Sequence, residues 1–394
     1  MNRFILTLGA LLGLLITGNP VIPQGARPEI LSSPRPRARD LGIRPGVFSP
    51  GPLNAITDVE SVRVGHVTIR EGDSVRTGVT AILPHGGNLF QEKVGGAVFV
   101  GNAFGKLAGS TQVNELGLIE TPIILTNTLS VGTAVEAVVR YTLSREGNEK
   151  VGSVNALVGE TNDQVLNDIR GFHVKPKHIR EAIQGARSGP VAEGAVGAGT
   201  GTQSFGWKGG IGTASRVLPA EYGGYTLGVL IQVSFGGVLT IAGAPVGKEL
   251  GQYKFSPREI RTGEGTGEGS GSCMIVLATD APLDKNNLRR LAARAIFGLA
   301  RTGASYGSGS GDFAIAFTTS PEMRRRYGDK KVRKREMLPH SMISPLFQAA
   351  LEATEEAVYN GLFQAVTTSG MGRTYQAIPI DRVRAVLKKY GVTR

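Results

Sequence analysis

Arg261-Thr-Gly-Glu-Gly-Thr-Gly-Glu-Gly-Ser-Gly271 runs directly into Ser272-Cys-Met-Ile-Val-Leu-Ala278. The first part is too dense in glycine for helix or strand and reads as loop. The second is a short continuous apolar run, the pattern of a buried strand. Downstream, Asp284 is placed to cap a helix through about Ala300, with Leu288, Leu291, Ala292, Ala295, Ile296 and Leu299 on its apolar side. Phe313 to Phe317 then returns as strand. This strand–helix–strand unit, with strands and helices mixed elsewhere, predicts layered α/β packing.

Upstream, short β-branched runs at Val62–Val64, Val79–Leu83, Ala97–Val100 and Thr121–Leu125 alternate with Gly and Asn breakers, as strands do. Ala134–Leu143 reads as a helix following the cap residue Ser130. Tyr225–Ser234 and Val238–Ile241 read as two strands joined through Phe235-Gly-Gly. Near the end, Ser344-Pro345 supplies an N-cap and a first-turn proline for a helix bearing Leu346, Phe347, Ala350, Leu351, Thr354 and Val358. At the other end, Asn2-Arg3, the apolar run Phe4–Thr17 and Gly18-Asn19-Pro20 have the order of a secretory signal peptide, taken as residues 1–25. That run is too short to span a bilayer comfortably, so no stable membrane insertion is expected and the location is periplasmic or secreted. A Pro-, Gly- and Arg-rich stretch, 26–53, reads as flexible linker, and a single folded domain starts near Asn54.

Of the 394 residues, 41% are hydrophobic and 19% charged, an ordinary globular balance. The net charge of +12 invites a nucleic-acid reading, but eight Lys and Arg fall between Arg324 and Arg335 in a segment that reads as a solvated loop, so no nucleic acid is expected. The single cysteine, Cys273, excludes an intrachain disulfide and reads as a buried strand thiol. Gly197-Ala-Gly199-Thr-Gly201-Thr202 lacks the third glycine of a dinucleotide fingerprint, and no phosphate loop is present. The five histidines are scattered without zinc-site spacing, and Gly307-Ser-Gly-Ser-Gly311 centres on glycine where a hydrolase elbow needs serine. No metal and no cofactor are expected.

What remains is Gly271-Ser272. A hydroxyl that attacks its own preceding carbonyl needs a small residue there, and glycine allows unusual backbone angles. An N-to-O acyl shift followed by hydrolysis would leave a serine with a free α-amine, a base near neutral pH. On residues alone, a flexible loop ahead of a core strand accounts for the stretch more simply.

From about Asn54 to Leu387 the sequence resembles the self-processing aminopeptidases that include L-aminopeptidase/D-Ala-esterase/amidase and the β-aminopeptidases, distant relatives of ornithine acetyltransferase. The resemblance rests on Asn54-Ala-Ile-Thr-Asp58 with Val62-Arg-Val-Gly-His66, and on Gly101-Asn-Ala-Phe-Gly105. It continues through Glu120-Thr-Pro122, Thr126-Asn-Thr-Leu-Ser-Val-Gly132, Gly159-Glu-Thr-Asn162 and Leu166-Asn-Asp168. Ala278-Thr-Asp-Ala-Pro282 and Gly309-Ser-Gly-Asp312 complete it.

The resemblance implies a four-layer αββα sandwich of Ntn-hydrolase type, cut between Gly271 and Ser272 into an α-chain (54–271) and a β-chain (272–394). The two chains stay associated, and such pairs form a homo-oligomer. By the same resemblance Ser272 is the catalytic nucleophile, Ser310 and Asp312 assist its proton transfer, and Glu160 receives the free amine of a short peptide, amino-acid amide or ester. Two positions depart from the family pattern. Ser234 stands where an oxyanion-stabilising Asn is common, and Asn162 where some members carry Tyr. Two other activities fit the resemblance: an acyltransferase of the same superfamily, and a peptide-binding homologue with impaired catalysis.

Overall fold

The computed structural model describes Met1, residues 35–257, Ile260 and residues 271–394. The expected signal peptide and the glycine-rich loop 261–270 lie outside these described residues. So does the first part of the expected linker, but Arg35 onward is packed against the body. Ile43 is buried, Arg35 donates to the carbonyls of Phe363 (2.6 Å) and Ile378 (2.7 Å), and Arg39 pairs with Glu356 at 2.8 Å. Polar partners far along the chain thus hold a segment that lacks apolar periodicity.

Two sheets form the centre. The first strands in chain order are β1 (Arg63–Glu71), β2 (Val75–Leu83), β3 (Glu92–Ala103), β4 (Leu107–Ala108), β5 (Leu118–Ile119), β6 (Ile123–Asn127) and β7 (Leu157–Thr161). After the small β8–β9 hairpin (Gln203–Ser204, Trp207–Lys208) come β10 (Ile211–Val217), β11 (Thr226–Ser234), β12 (Ser272–Thr279), β13 (Gly311–Thr318) and β14 (Arg325–Arg326). One sheet runs β1-β2-β6-β7-β4, the other β10-β11-β12-β13-β3-β14 with β5 attached to β3. The helices that cover them are α1 (Ser110–Leu116), α2 (Val131–Leu143), α3 (Pro176–Gln184), α4 (Val246–Leu250), α5 (Lys285–Arg301), α6 (Ser344–Phe363) and α7 (Ile380–Lys389).

The layering follows from side-chain alternation. All eight residues of β12 are buried, because both faces of this central strand are covered. Cys273, Ile275 and Leu277 pack with Leu288, Leu291 and Leu299 of α5 and Val358 and Leu362 of α6. Met274, Val276 and Ala278 point the other way, into a cluster with Ile123, Leu125 and Leu157 of the second sheet. That sheet's outer face, through Val79, Ile124 and Val158, meets Val138 of α2 and Ile179 and Ile183 of α3. The described residues therefore stack as helix, sheet, sheet, helix, the αββα sandwich, and each aliphatic side chain so buried contributes about 1.5–3 kcal/mol.

β12 and β13 are parallel, so a crossover must join them, and α5 supplies it. Its cap is the expected one: the Asp284 carboxylate accepts the Asn287 amide at 2.8 Å. Elsewhere the boundaries differ from the sequence reading. α2 begins at Val131, and the cap of the preceding turn is Asn127, whose Oδ1 accepts the Ser130 amide at 3.0 Å; the Ser130 side chain caps nothing. Ser344 is already helical in α6, with Ile343 at the cap position. Val238–Ile241 forms no strand of a hairpin with β11, because Val238 and Thr240 donate instead to the carbonyls of Gly303 and Thr302 after α5. The basic run is solvated as expected, save that Arg325–Arg326 pairs with β3 as β14. Among the described residues no helix is long and apolar enough to cross a membrane.

Candidate active site

Ser272 is the first residue of β12, flanked by Ser234 at the end of β11 and Gly311 at the start of β13. Its hydroxyl donates to the carbonyl oxygen of Gly271 at 2.5 Å and accepts a long contact, 3.4 Å, from the Gly311 amide. The side chain is buried against the peptide bond that precedes it.

Ser310 is close by, on the other side of that peptide. A Cβ built on Gly271 would lie 3.1 Å from Ser310 Oγ, so the glycine is what lets this hydroxyl approach. Ser310 Oγ is buried and makes no hydrogen bond of ordinary geometry among the described residues. Asp312 lies beside Cys273 in register. Burial pushes its carboxyl up to about 6, with the nearby Ser310 hydroxyl drawing it partly back, and Oδ2 has no hydrogen-bond partner among the described residues. Among the described residues neither Ser310 nor Asp312 bonds the Ser272 hydroxyl; Ser310 borders Gly271, and Asp312 is opposite Cys273. Burial, then the Asp312 carboxylate, push the Cys273 thiol well above its ordinary range, which makes it a poor rival nucleophile.

The loop that carries Ser310 is held from β3. Asn102, paired with Asp312, donates from Nδ2 to the Gly307 carbonyl at 2.8 Å, and the Phe104 amide donates to the Ser310 carbonyl at 3.2 Å.

Glu160, near the end of β7, approaches this cluster across Gly105. A Cβ on Gly105 would lie 3.4 Å from Glu160 Oε1 and 3.1 Å from Gly311 Cα. Glu160 Oε1 accepts the Lys106 amide at 3.0 Å, Oε2 accepts the Thr128 hydroxyl, and Lys106 Nζ stands 3.9 Å from Oε1. Burial raises the Glu160 carboxyl, opposed by Thr128 and Lys106. A carboxylate held in this way is of the kind that can receive an ammonium through a charge-assisted hydrogen bond.

Ser234 is placed less favourably as an oxyanion donor. Its hydroxyl donates to the Asn162 carbonyl at 3.0 Å, so its proton is already committed. Asn162 turns its own amide oxygen to the Gln164 backbone N–H at 2.9 Å. Asn102, Lys106 and Thr128 lie within or beside motifs quoted above, yet they were assigned no role. Their adjacency to Gly105 and to the Thr126–Gly132 run was the available signal. Among the described residues no group of His, Cys, Asp and Glu could hold a metal ion.

The profile of peptidase family S58 matches residues 54–375, a span that includes every residue just described. The chain belongs to peptidase family S58. It is 44% identical over 375 residues to a β-peptidyl aminopeptidase of Sphingosinicella microcystinivorans, covering 91% of this chain and 93% of the relative. Among solved structures, the Burkholderia sp. β-aminopeptidase superposes with a TM-score of 0.82 at 40% identity, covering 90% of this chain and 99% of that one. The L-aminopeptidase D-Ala-esterase/amidase of Ochrobactrum anthropi, described as a prototype of the serine aminopeptidases and a variant Ntn-hydrolase fold, superposes with a TM-score of 0.82 at 38% identity, over 91% of this chain and all of that one. Membership of family S58 makes this chain a serine-type peptidase of the aminopeptidase group.

Proposed function

We propose that this S58 peptidase is exported, cuts itself between Gly271 and Ser272, and then removes amino-terminal residues from short peptides, amides or esters through an acyl-enzyme on Ser272. One observation carries the reading: the Ser272 hydroxyl lies 2.5 Å from the Gly271 carbonyl oxygen, with the Ser310 hydroxyl bordering the same glycine. In self-cleavage, Ser272 Oγ forms an ester to Gly271 as the Gly271–Ser272 amide breaks, and water then hydrolyses the ester. The freed α-amine of Ser272 takes the proton from Oγ when substrate arrives, and Ser310 and Asp312 relay it toward the leaving amine. Glu160 binds the substrate's ammonium, which confines attack to the terminal residue. The activity named for the β-peptidyl aminopeptidase relatives supports amino-terminal β-residues as substrates. The two chains remain together, and pairs of them assemble as homo-oligomers.

Mass spectrometry under denaturing conditions tests the cut. The purified protein is expected as two chains whose break falls before Ser272, and Ser272→Ala as one inactive chain. An uncut active protein, or a cut elsewhere, would sink the reading.

A further inference from the structure

Lys106 holds Glu160 twice, through its backbone amide at 3.0 Å and its ammonium at 3.9 Å. The two side chains differ in access: Glu160 is 2% exposed and Lys106 is 55% exposed. The carboxylate proposed to take the substrate's amine therefore has a largely solvent-exposed cation beside it. A substrate head bearing only an ammonium is attracted by Glu160 and repelled by Lys106. A head with ammonium and carboxylate on one carbon gives each a partner, the ammonium to Glu160 and the carboxylate to Lys106.

Resting on the aminopeptidase reading above, we infer that the site selects peptides whose first residue is joined through its side-chain carboxyl and keeps both α-groups free, β-aspartyl peptides foremost. Such a residue places its scissile carbonyl one methylene beyond the doubly charged carbon, the same spacing as in a β-amino acid. Gly105 packs closely between Glu160 and Gly311, whose amide faces the Ser272 hydroxyl, so the separation between the ammonium site and Ser272 is short and suits a short acyl group. In the step itself, the amide between the β-carbonyl and the next residue breaks while an ester forms to Ser272 Oγ. The hydroxyl proton leaves with the departing amine, and water then splits the ester, releasing aspartic acid and restoring the serine.

The experiment compares kcat/KM of the processed enzyme for β-aspartyl-leucine and β-alanyl-leucine, with Lys106→Met and Lys106→Arg variants whose self-cleavage is checked by mass. The wild type is expected to prefer the β-aspartyl peptide. Lys106→Met should lower the ratio of the two by about fivefold or more, the scale of a partly exposed ion pair, and Lys106→Arg should largely keep it. Cleavage of β-alanyl-leucine in preference to β-aspartyl-leucine by the wild type overturns the inference and leaves the aminopeptidase reading standing. A ratio unmoved in Lys106→Met also overturns it, since a lysine that merely steadies Glu160 would affect both peptides alike. Turnover of neither peptide, by an enzyme that still releases the amino-terminal residue of an amino-acid amide, also overturns the inference and leaves the aminopeptidase reading standing. The wild-type comparison decides on its own if Lys106→Met does not process.

Discussion

In the proposed mechanism Asp312 is the group with the clearest dependence on pH. Its carboxyl is buried next to Cys273, and burial lifts it from the ordinary carboxylate range to about 6. If the ionised form relays protons for Ser272, activity must fall as the pH drops through that value, because protonation removes the acceptor. A plot of log kcat/KM against pH is therefore expected to show an acid limb with its bend near 6. Asp312→Asn should lose that limb together with about a hundredfold or more of the rate, the usual worth of a positioned proton acceptor. A wild-type profile flat between roughly pH 5 and 7 would remove Asp312 from the proton path. The Glu160 carboxyl is also raised by burial; in the proposed mechanism its protonation would act through KM, whereas that of Asp312 would act through kcat.

At the scale of elements, the site is an agreement between strand ends. β12 brings Ser272, β13 brings Asp312, and the loop before β13 brings Ser310, while the far end of β3 fixes that loop through Asn102. Asn102→Ala removes the bond to Gly307 without touching Glu160. It is expected to lower kcat by about tenfold or more with little change in KM, and to slow self-cleavage, since small displacements of a proton relay are costly. Steady-state kinetics and a processing time course check this; an unchanged kcat means that the loop is held by its other contacts. Much of this region was legible in sequence because its signals are local. The apolar run at Cys273–Ala278 is a strand, Asp284 caps α5, and Phe313–Phe317 lies within β13. Val238–Ile241 was not legible, because its apolar residues serve a packed turn and its backbone partners are the carbonyls of Thr302 and Gly303, about 60 positions away. Glu160 and Ser272 could be named only through the family pattern, since nothing in their spacing shows that Gly105 brings them near each other.

For the whole molecule, the central question raised by the proposed cut before Ser272 is what would keep the two pieces together. β11, upstream of the proposed cut, pairs along its length with β12 downstream of it, and β3 pairs likewise with β13, so that cut would fall at a seam already closed by hydrogen bonds. A buried charge cluster crosses the same seam. Arg216 of β10, fully buried, donates from Nε to Glu352 at 3.1 Å and from Nη2 to Glu356 at 2.8 Å, both on α6 and both buried. Arg39 and Asn54 Nδ2 complete the shell around Glu356. Glu352 and Glu356 give no hint of this in sequence, where they read as the wet side of an amphipathic helix; their partner lies more than a hundred residues upstream. Replacing the pair wholesale by apolar residues could be neutral, but deleting Arg216 alone leaves carboxylates buried without their main counter-charge. Arg216→Met is therefore expected to cost about 3–5 kcal/mol. The measurement is best made in the Ser272→Ala background, where the chain stays whole and unfolding is unimolecular, as a fall in the denaturant midpoint with the slope unchanged. In the cleaved protein the same loss should appear as concentration-dependent separation of the two chains on native size-exclusion chromatography, whereas the cleaved parent elutes as one species. An Arg216→Met protein with the parent's midpoint would show that strand pairing alone holds the halves together.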